Sequence, residues 1–69
     1  MTSHWHEVVG PLHETVEVGS RVWVRHDNKT WDGELLGPGP YEYEVRVRLA
    51  NSTELAVHRY NVQPQKEDT

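Results

Sequence analysis

The stretch Tyr43-Glu44-Val45-Arg46-Val47-Arg48-Leu49 decides the fold class of this chain. Its odd-numbered residues are apolar and its even-numbered residues are charged. Successive side chains of a β-strand point to opposite faces, so one face of this stretch is apolar and the other is charged. We therefore predict a strand over residues 41–49, with Tyr43, Val45, Val47 and Leu49 facing a core.

Similar alternation on both sides of this stretch predicts four further strands. They lie over residues 21–26, 30–36, 54–58 and 62–64, with a short helical turn at 59–61. Turn-forming residues separate the strands at 26–29, 37–40 and 51–52. Gly33 falls inside a strand, which indicates a bulge or a close approach of two backbones. Five short strands with turns between them predict an all-β fold, a small five-stranded barrel without exposed edges.

The two ends of the chain differ from its middle. Residues 1–15 are polar and histidine-rich and are interrupted by Pro11, so we expect a flexible leader there, of which one piece could pack back on the barrel. The barrel is expected over residues 16–64. Residues 65–69 are polar and charged and offer nothing apolar to hold them, which predicts a disordered tail.

Length and composition restrict the class of protein. The chain has 69 residues, a net charge of −4 and no cysteine, so we expect one domain without disulfides or thiolate metal sites. It contains no apolar run of the roughly 18–20 residues that span a bilayer, so we expect no membrane partner. Net acidity argues against nucleic acid as a partner. We expect a cytoplasmic protein.

Charged residues on the outer face of residues 41–49 have two interpretations. Arg46 and Arg48 alternate with Glu42 and Glu44 and could face phosphate groups. The preferred interpretation is a solvated face with cross-strand ion pairs, because opposite charges on neighbouring strands attract each other weakly.

Catalytic and cofactor motifs are missing from the sequence. It has no cysteine nucleophile, no Gly-x-Ser-x-Gly and no glycine-rich phosphate loop followed by lysine. His4 and His6 lie close together, whereas His13, His26 and His58 are dispersed. Without cysteine they do not predict a zinc site, and we interpret the histidines as surface residues. A barrel of this size fills its interior with side chains. We therefore predict that the chain is not an enzyme, has no catalytic or metal-binding residues and carries no cofactor.

Trp23 is the residue that most strongly indicates a binding surface. If Val22 and Val24 face the core, Trp23 points outward, and an exposed tryptophan on a small acidic domain calls for an explanation. The preferred interpretation is that it packs against the leader or a neighbouring domain. Alternatively, it could form part of a cage for a methylated lysine with Tyr41 or Tyr60. Trp31 is expected in the core or at its rim. The candidate binding residues are Trp23, Arg25, Trp31, Tyr41, Glu42 and Tyr60.

The first two predicted strands contain Val18-Gly19-Ser20-Arg21-Val22-Trp23-Val24 and Trp31-Asp32-Gly33-Glu34-Leu35. These two stretches resemble the small N-terminal barrel of myosin heavy chains, which has a fold like that of Src-homology-3 (SH3) domains. The resemblance covers about residues 18–64 and implies an SH3-like barrel. It also implies an accessory lobe that docks on protein and contains no ATPase residue.

Two other families of small barrels are similar over shorter stretches. Val62-Gln63-Pro64 resembles the end of Tudor-type domains, which implies a nuclear reader of methylated lysine or arginine that uses Trp23, Tyr41 and Tyr60 with Glu42. Residues 18–25 resemble the start of the C-terminal barrel of retroviral integrases, which implies DNA binding. The net acidity of the chain argues against that last function.

These observations lead to one preferred function and two alternatives. The preferred function is a non-catalytic SH3-like module that docks on protein, either a neighbouring domain or a partner chain, with Trp23 in the contact. The alternatives are a Tudor-like reader of methylated peptides and an integrase-type barrel that binds nucleic acid.

Overall fold

A computed structural model of the chain describes residues 5–65. Seven strands and one short 3₁₀ turn follow each other along these residues. They are β1 (His6–Val9), β2 (Glu14–Glu17), β3 (Arg21–His26), β4 (Lys29–Pro38), β5 (Glu44–Leu49), β6 (Glu54–His58), the 3₁₀ turn (Arg59–Asn61) and β7 (Val62–Pro64). Within this part of the chain, no helix has the length and apolar character that crossing a bilayer requires.

The strands form two antiparallel sheets. Five of them are ordered β6-β5-β4-β3-β7, and β1 pairs with β2 in a separate hairpin. The last strand lies beside the first strand of the larger sheet, with Val62 opposite Val24. The predicted all-β class is confirmed, and the five strands expected from alternation are the five strands of the larger sheet.

Among residues 5–65, the fully packed core consists of valine and leucine side chains. Its buried side chains are Val9, Val16, Val22, Val24, Leu35, Val45, Val47, Leu49, Val57 and Val62. Alternation places these side chains on one face of each strand, and β-branched residues pack well on a pleated surface. Trp31 is the aromatic residue that packs against the edge of this core.

Tyr43 does not belong to the core face on which we predicted it. Val45, Val47 and Leu49 are buried as expected, but Tyr43 precedes β5 and is 52% exposed. The backbone N–H of Glu44 donates to the carbonyl of Tyr41, and the N–H of Gly39 donates to the carbonyl of Glu44. This turn ends the alternation at Glu44, and Tyr43 is left on the surface.

The turn between β3 and β4 has the geometry that its residues favour. Asp27 and Asn28 have φ angles of 55° and 61°, and they join strands that pair from Arg21 to His26. Two consecutive residues with positive φ are typical of tight hairpin turns whose twist matches that of the strands. Aspartate and asparagine tolerate this conformation, so the predicted turn at 26–29 is confirmed.

Strand β4 is longer than predicted and contains two special glycines. It continues to Pro38, which pairs with Val45, although we expected residues 37–40 to form a loop. The pairing shifts between Leu35 and Gly37, which lets the strand bend before it ends. Gly33 marks a close approach, since a Cβ there would lie 2.9 Å from the carbonyl oxygen of Arg48.

The expectation of a flexible leader over residues 1–15 is wrong for the part that the structure describes. Strands β1 and β2 pair from His6 opposite Glu17 to Val9 opposite Glu14, and Val9 and Val16 lie in the core. Pro11 sits in the turn of this hairpin rather than interrupting a strand. The predicted boundary at residue 16 therefore falls inside β2, and residues 1–4 lie outside the described residues.

Gln65 does not fit the disordered tail that we predicted for residues 65–69. Gln65 donates a backbone hydrogen bond to the carbonyl of Arg21, and its side-chain amide donates to the carbonyl of Val22 and to Asp32 at 2.8 Å. These bonds attach Gln65 to the larger sheet. The remainder of the predicted tail, residues 66–69, lies outside the described residues.

Candidate functional site

Five aromatic rings form a continuous line on the surface, which we call the aromatic row. Tyr41 stacks on Tyr43 with 5.5 Å between ring centroids, and Tyr43 stacks on His58 at 5.6 Å. His58 meets the edge of Tyr60 at 5.0 Å, and Tyr60 meets His13 at 5.6 Å. Stacked and edge-to-face contacts at these distances are attractive and hold the rings in a definite order.

Four elements of the chain supply the aromatic row. Tyr41 and Tyr43 lie between β4 and β5, His58 ends β6, and Tyr60 belongs to the 3₁₀ turn. His13 lies in the turn of the N-terminal hairpin and has a φ angle of 54°. The row therefore requires the hairpin to be docked on the sheet.

Arg59 holds these parts together through its backbone. Its N–H donates to the carbonyl of Tyr43 at 2.8 Å, and its carbonyl accepts from the N–H of Gly10 at 2.8 Å. One residue thus attaches the 3₁₀ turn to the tyrosine loop on one side and to the N-terminal hairpin on the other.

The side chain of Arg59 repeats the same attachment. Its guanidinium donates to the carbonyl of Val8 at 2.8 Å and to the carbonyl of Glu42. The carboxylate of Glu7 lies 3.8 Å away and is nearly buried. A planar guanidinium with five N–H donors can serve several acceptors at once, so Arg59 stabilises the relative position of the hairpin and the tyrosine loop.

His58 has a structural bond in addition to its place in the row. Its Nδ1 accepts a hydrogen bond from the backbone N–H of Tyr60 at 3.1 Å. This bond caps the start of the 3₁₀ turn, where backbone donors have no partner within the turn. It also fixes the imidazole between Tyr43 and Tyr60.

Trp23 stands on the outer face of β3 and lines two grooves. It is 44% exposed and lies opposite Asp32 on β4 and Gln63 on β7. The first groove, which we call the Trp23 groove, has a volume of about 130 Å³. It is lined by Trp23, Arg25, Thr30, Tyr60, Asn61 and Gln63.

The second groove separates the N-terminal hairpin from β3 and β7, and we call it the hairpin groove. Its volume is about 590 Å³. It is lined by Gly10, Pro11, Leu12, Glu14, Trp23, Gln63 and Pro64. Leu12 is 77% exposed, which makes it the most exposed large apolar side chain described. Because Trp23 and Gln63 line both grooves, the two form one continuous surface.

The structure brings together three of the six predicted binding residues. Trp23, Arg25 and Tyr60 line the Trp23 groove. Tyr41 lies further along the aromatic row, with Tyr43 and His58 between it and Tyr60. It does not line the groove, so Trp23, Tyr41 and Tyr60 do not surround one common space.

The other two predicted residues have structural contacts. Trp31 is half-buried at the edge of the core, and its indole N–H donates to the carbonyl of His26 at 2.9 Å. Glu42 contributes its backbone carbonyl to Arg59 and lines neither groove.

Three members of the aromatic row were missed by sequence reasoning. Tyr43 was assigned to the core because it continues the alternation of β5. His58 and His13 were interpreted as dispersed surface histidines. One sequence signal could have indicated part of the row: His58 and Tyr60 lie on either side of Arg59, in a segment already predicted to turn.

Most arginine side chains of the molecule lie close to a carboxylate of the same chain. Arg46 lies 3.5 Å from Glu54, and Arg48 lies within 3.7 Å of both Glu34 and Glu54. These contacts confirm the interpretation of this face as a set of cross-strand ion pairs. Arg21 pairs with Asp32, and Arg59 lies near Glu7. Four of the five arginines therefore have a carboxylate within 4 Å.

The pKa of Asp32, which lies opposite Trp23 on β4, is shifted. The hydrogen bond from the Gln65 amide, followed by that from Arg21, lowers the pKa of Asp32 below its ordinary value of 3.8. Both bonds favour the charged carboxylate. Asp32 therefore stays ionised and joins β3, β4 and Gln65 beside Trp23.

The site offers ring faces, one guanidinium and several amide and hydroxyl groups. Such groups can bind a ligand through stacking and hydrogen bonds. Within residues 5–65, no three histidine, aspartate or glutamate side chains are arranged to hold a metal ion. Comparison with protein-family models found no match, and comparisons with curated proteins and with solved structures found none either.

Proposed function

We propose that this chain is a non-catalytic SH3-like interaction module that binds a protein segment across the Trp23 groove and the adjoining aromatic row. The observation that carries the proposal is the placement of aromatic side chains outside an entirely aliphatic core. Tyr60 lines the Trp23 groove and also belongs to the aromatic row, so the groove and the row form one surface.

Energetic reasoning supports this proposal. Aromatic side chains contribute a large apolar area when they are buried, and a domain of this size buries little apolar area in its core. Trp23, Tyr41, Tyr43 and Tyr60 are nevertheless between 44% and 60% exposed. Tryptophan, tyrosine and arginine are the residues that most often dominate binding energy at protein interfaces.

The partner in this proposal is a neighbouring domain or a separate chain. The resemblance to the N-terminal lobe of myosins supports docking on protein, although a fold shared by several families does not decide the function. The strand order supports an SH3-like barrel, because the last strand returns to lie beside the first strand of the larger sheet.

The alternatives receive less support from the site. A cage for methylated lysine needs rings around one space with a carboxylate nearby, and the Trp23 groove instead has Arg25 in its lining. A nucleic-acid-binding surface needs unneutralised basic residues, and four of the five arginines lie near carboxylates. Docking on protein is therefore our first choice.

A displayed library of random peptides, selected against the immobilised chain, tests this function. We expect enriched peptides whose affinity falls at least about tenfold for Trp23→Ala, as for a central interface residue. Tyr60→Ala should weaken the same peptides. Thr53→Ala, in the exposed turn between β5 and β6, is the control and should bind as the unmodified chain does.

Circular dichroism and thermal melting must first establish that each variant is folded. Peptides that bind the folded Trp23→Ala and Tyr60→Ala variants as tightly as the unmodified chain would contradict the proposal. A library that yields no saturable binder would also contradict it.

A further inference from the structure

We infer, on the basis of the proposed function, that the bound segment is acidic. In this arrangement a ligand carboxylate pairs with Arg25 in the Trp23 groove, and a neighbouring aliphatic side chain lies in the hairpin groove. The partner is then an extended peptide with an acidic residue close to an aliphatic one.

The lining of the Trp23 groove favours an anion. Among the described residues that line it, Arg25 is the one with a charge. The amides of Asn61 and Gln63 and the hydroxyls of Thr30 and Tyr60 can all donate hydrogen bonds. A guanidinium matches a carboxylate geometrically through two parallel N–H donors, and such charged pairs are the stronger hydrogen bonds of proteins.

Arg25 also differs from the other arginines in its surroundings. Each of the other four has a carboxylate of this chain within 4 Å. Arg25 lies opposite Thr30 on β4 rather than opposite an acidic residue. A carboxylate from a partner would therefore give Arg25 the kind of pair that the chain itself gives to the others.

A carboxylate suits this groove better than a phosphate group. Phosphorylated segments are usually recognised by clusters of arginines. The Trp23 groove offers one guanidinium, and its volume of about 130 Å³ suits a small group. One planar carboxylate satisfies one guanidinium, whereas a phosphate dianion would keep part of its charge unneutralised.

The hairpin groove gives the ligand its second feature and its direction. Pro11, Leu12 and Pro64 provide an apolar wall that an aliphatic side chain can cover. Glu14 lines the same groove, so a second acidic residue there would meet a like charge. The acidic residue is therefore expected at the Arg25 side of Trp23 and the aliphatic residue at the Leu12 side.

Matched synthetic peptides test this inference on the full chain. Each is a blocked glycine-alanine octapeptide with one leucine and one test residue, separated by zero to three positions. The test residue is glutamate, glutamine, lysine, trimethyllysine or phosphoserine. Binding is measured by nuclear magnetic resonance titration, with the Trp23 indole and Arg25 side-chain signals as reporters.

We expect the best glutamate peptide to bind at least roughly tenfold tighter than its glutamine and lysine counterparts, as for one charge-assisted pair. Arg25→Gln should remove this preference, and Arg25→Lys should keep part of it. Added salt should weaken the glutamate peptide more than the glutamine peptide. Arg46→Gln, on the ion-paired face, is the matched control and should leave the preference intact.

Other outcomes overturn the inference without removing the proposed function. Equal binding of glutamate and glutamine peptides, with binding still lost in Trp23→Ala, would mean that the ligand is not selected by charge. Tightest binding of trimethyllysine or phosphoserine would assign the groove to a modified peptide. If no peptide shifts the Trp23 and Arg25 signals, the acidic ligand is rejected, and the library selection decides the function separately.

Discussion

The interior and the surface of this molecule use different kinds of apolar residue. Eight valines and two leucines fill the core. Of the six tryptophans and tyrosines, five are exposed and Trp31 alone packs at the edge of the core. The residues that stabilise the fold are therefore largely separate from those of the proposed binding surface, so that each set can be altered with limited effect on the other.

Sheet geometry accounts for the aliphatic interior. Valine packs well on the inner face of a strand, because its β-branched side chain has few rotamers and fits a pleated surface. Aromatic rings are larger, and the turn before β5 and the 3₁₀ turn present them outward instead.

The largest effect should follow from removing a core leucine. Leu35 is fully buried, and Leu35→Ala should lower the free energy of unfolding by about 2–5 kcal/mol through lost burial and a new cavity. Urea denaturation measures this loss. Tyr41→Ala, at the exposed end of the aromatic row, is the comparison and should cost less. A smaller loss for Leu35→Ala than for Tyr41→Ala would reverse the division between interior and surface.

The second effect tests the residue that connects the two regions. Arg59→Gln removes donors from the carbonyls of Val8 and Glu42 and leaves Glu7 without its cation. We expect a loss of about 1–3 kcal/mol in the free energy of unfolding. The ring proton signals of His13 and Tyr60 should move toward the values of isolated rings, because the hairpin loses an attachment and their edge-to-face contact loosens. Unchanged signals in a destabilised variant would separate the row from Arg59.

A third, smaller effect concerns Tyr43. Tyr43→Ala should cost no more than about 1.5 kcal/mol, the range for an aromatic pair, because the ring is about half exposed. Val45→Ala is the matched variant, since Val45 lies two residues further along the chain and is fully buried. Urea denaturation should find Val45→Ala more harmful. The reverse order would return Tyr43 to the core face that its alternation suggested.

The smallest effect is a change in acid stability at Asp32. The pKa of Asp32 is lowered in the folded chain, so the ionised carboxylate adds to the free energy of unfolding. This stabilisation is present above the unfolded pKa, near the ordinary value of 3.8, and is lost as pH falls through the lower folded pKa. Asp32 is solvent-accessible, so the effect is small. The stability advantage of the unmodified chain over Asp32→Asn should shrink below pH 4 in thermal melts. An advantage that grows with acid would contradict the assignment.

Local signals were sufficient for much of the larger sheet. Alternation predicted all five of its strands, and Asp27-Asn28 predicted the turn that joins β3 to β4. The same reasoning missed the hairpin of β1 and β2, because β1 is a four-residue strand with little alternation and the alternation in β2 is recognisable only from Val16 onward. It also placed Tyr43 inside, since alternation does not report where a strand begins.

The candidate site was predictable only in part. The position of Trp23 between two core valines indicated its exposure, and Arg25 shares its face two residues later. The meeting of Tyr60 with Trp23, and of His58 with Tyr43, depends on how β6, β7 and the 3₁₀ turn return to the sheet. No local pattern records those contacts.

By itself, the sequence determined the all-β class, the turn at Asp27-Asn28 and the outward direction of Trp23. These follow from backbone preferences and from the two-residue period of a strand, which act between near neighbours. The docking of the hairpin, the aromatic row and the contacts of Arg59 were decided by the tertiary structure alone. They join residues as far apart as Val8 and Arg59, 51 positions along the chain, which only packing of the whole domain brings together.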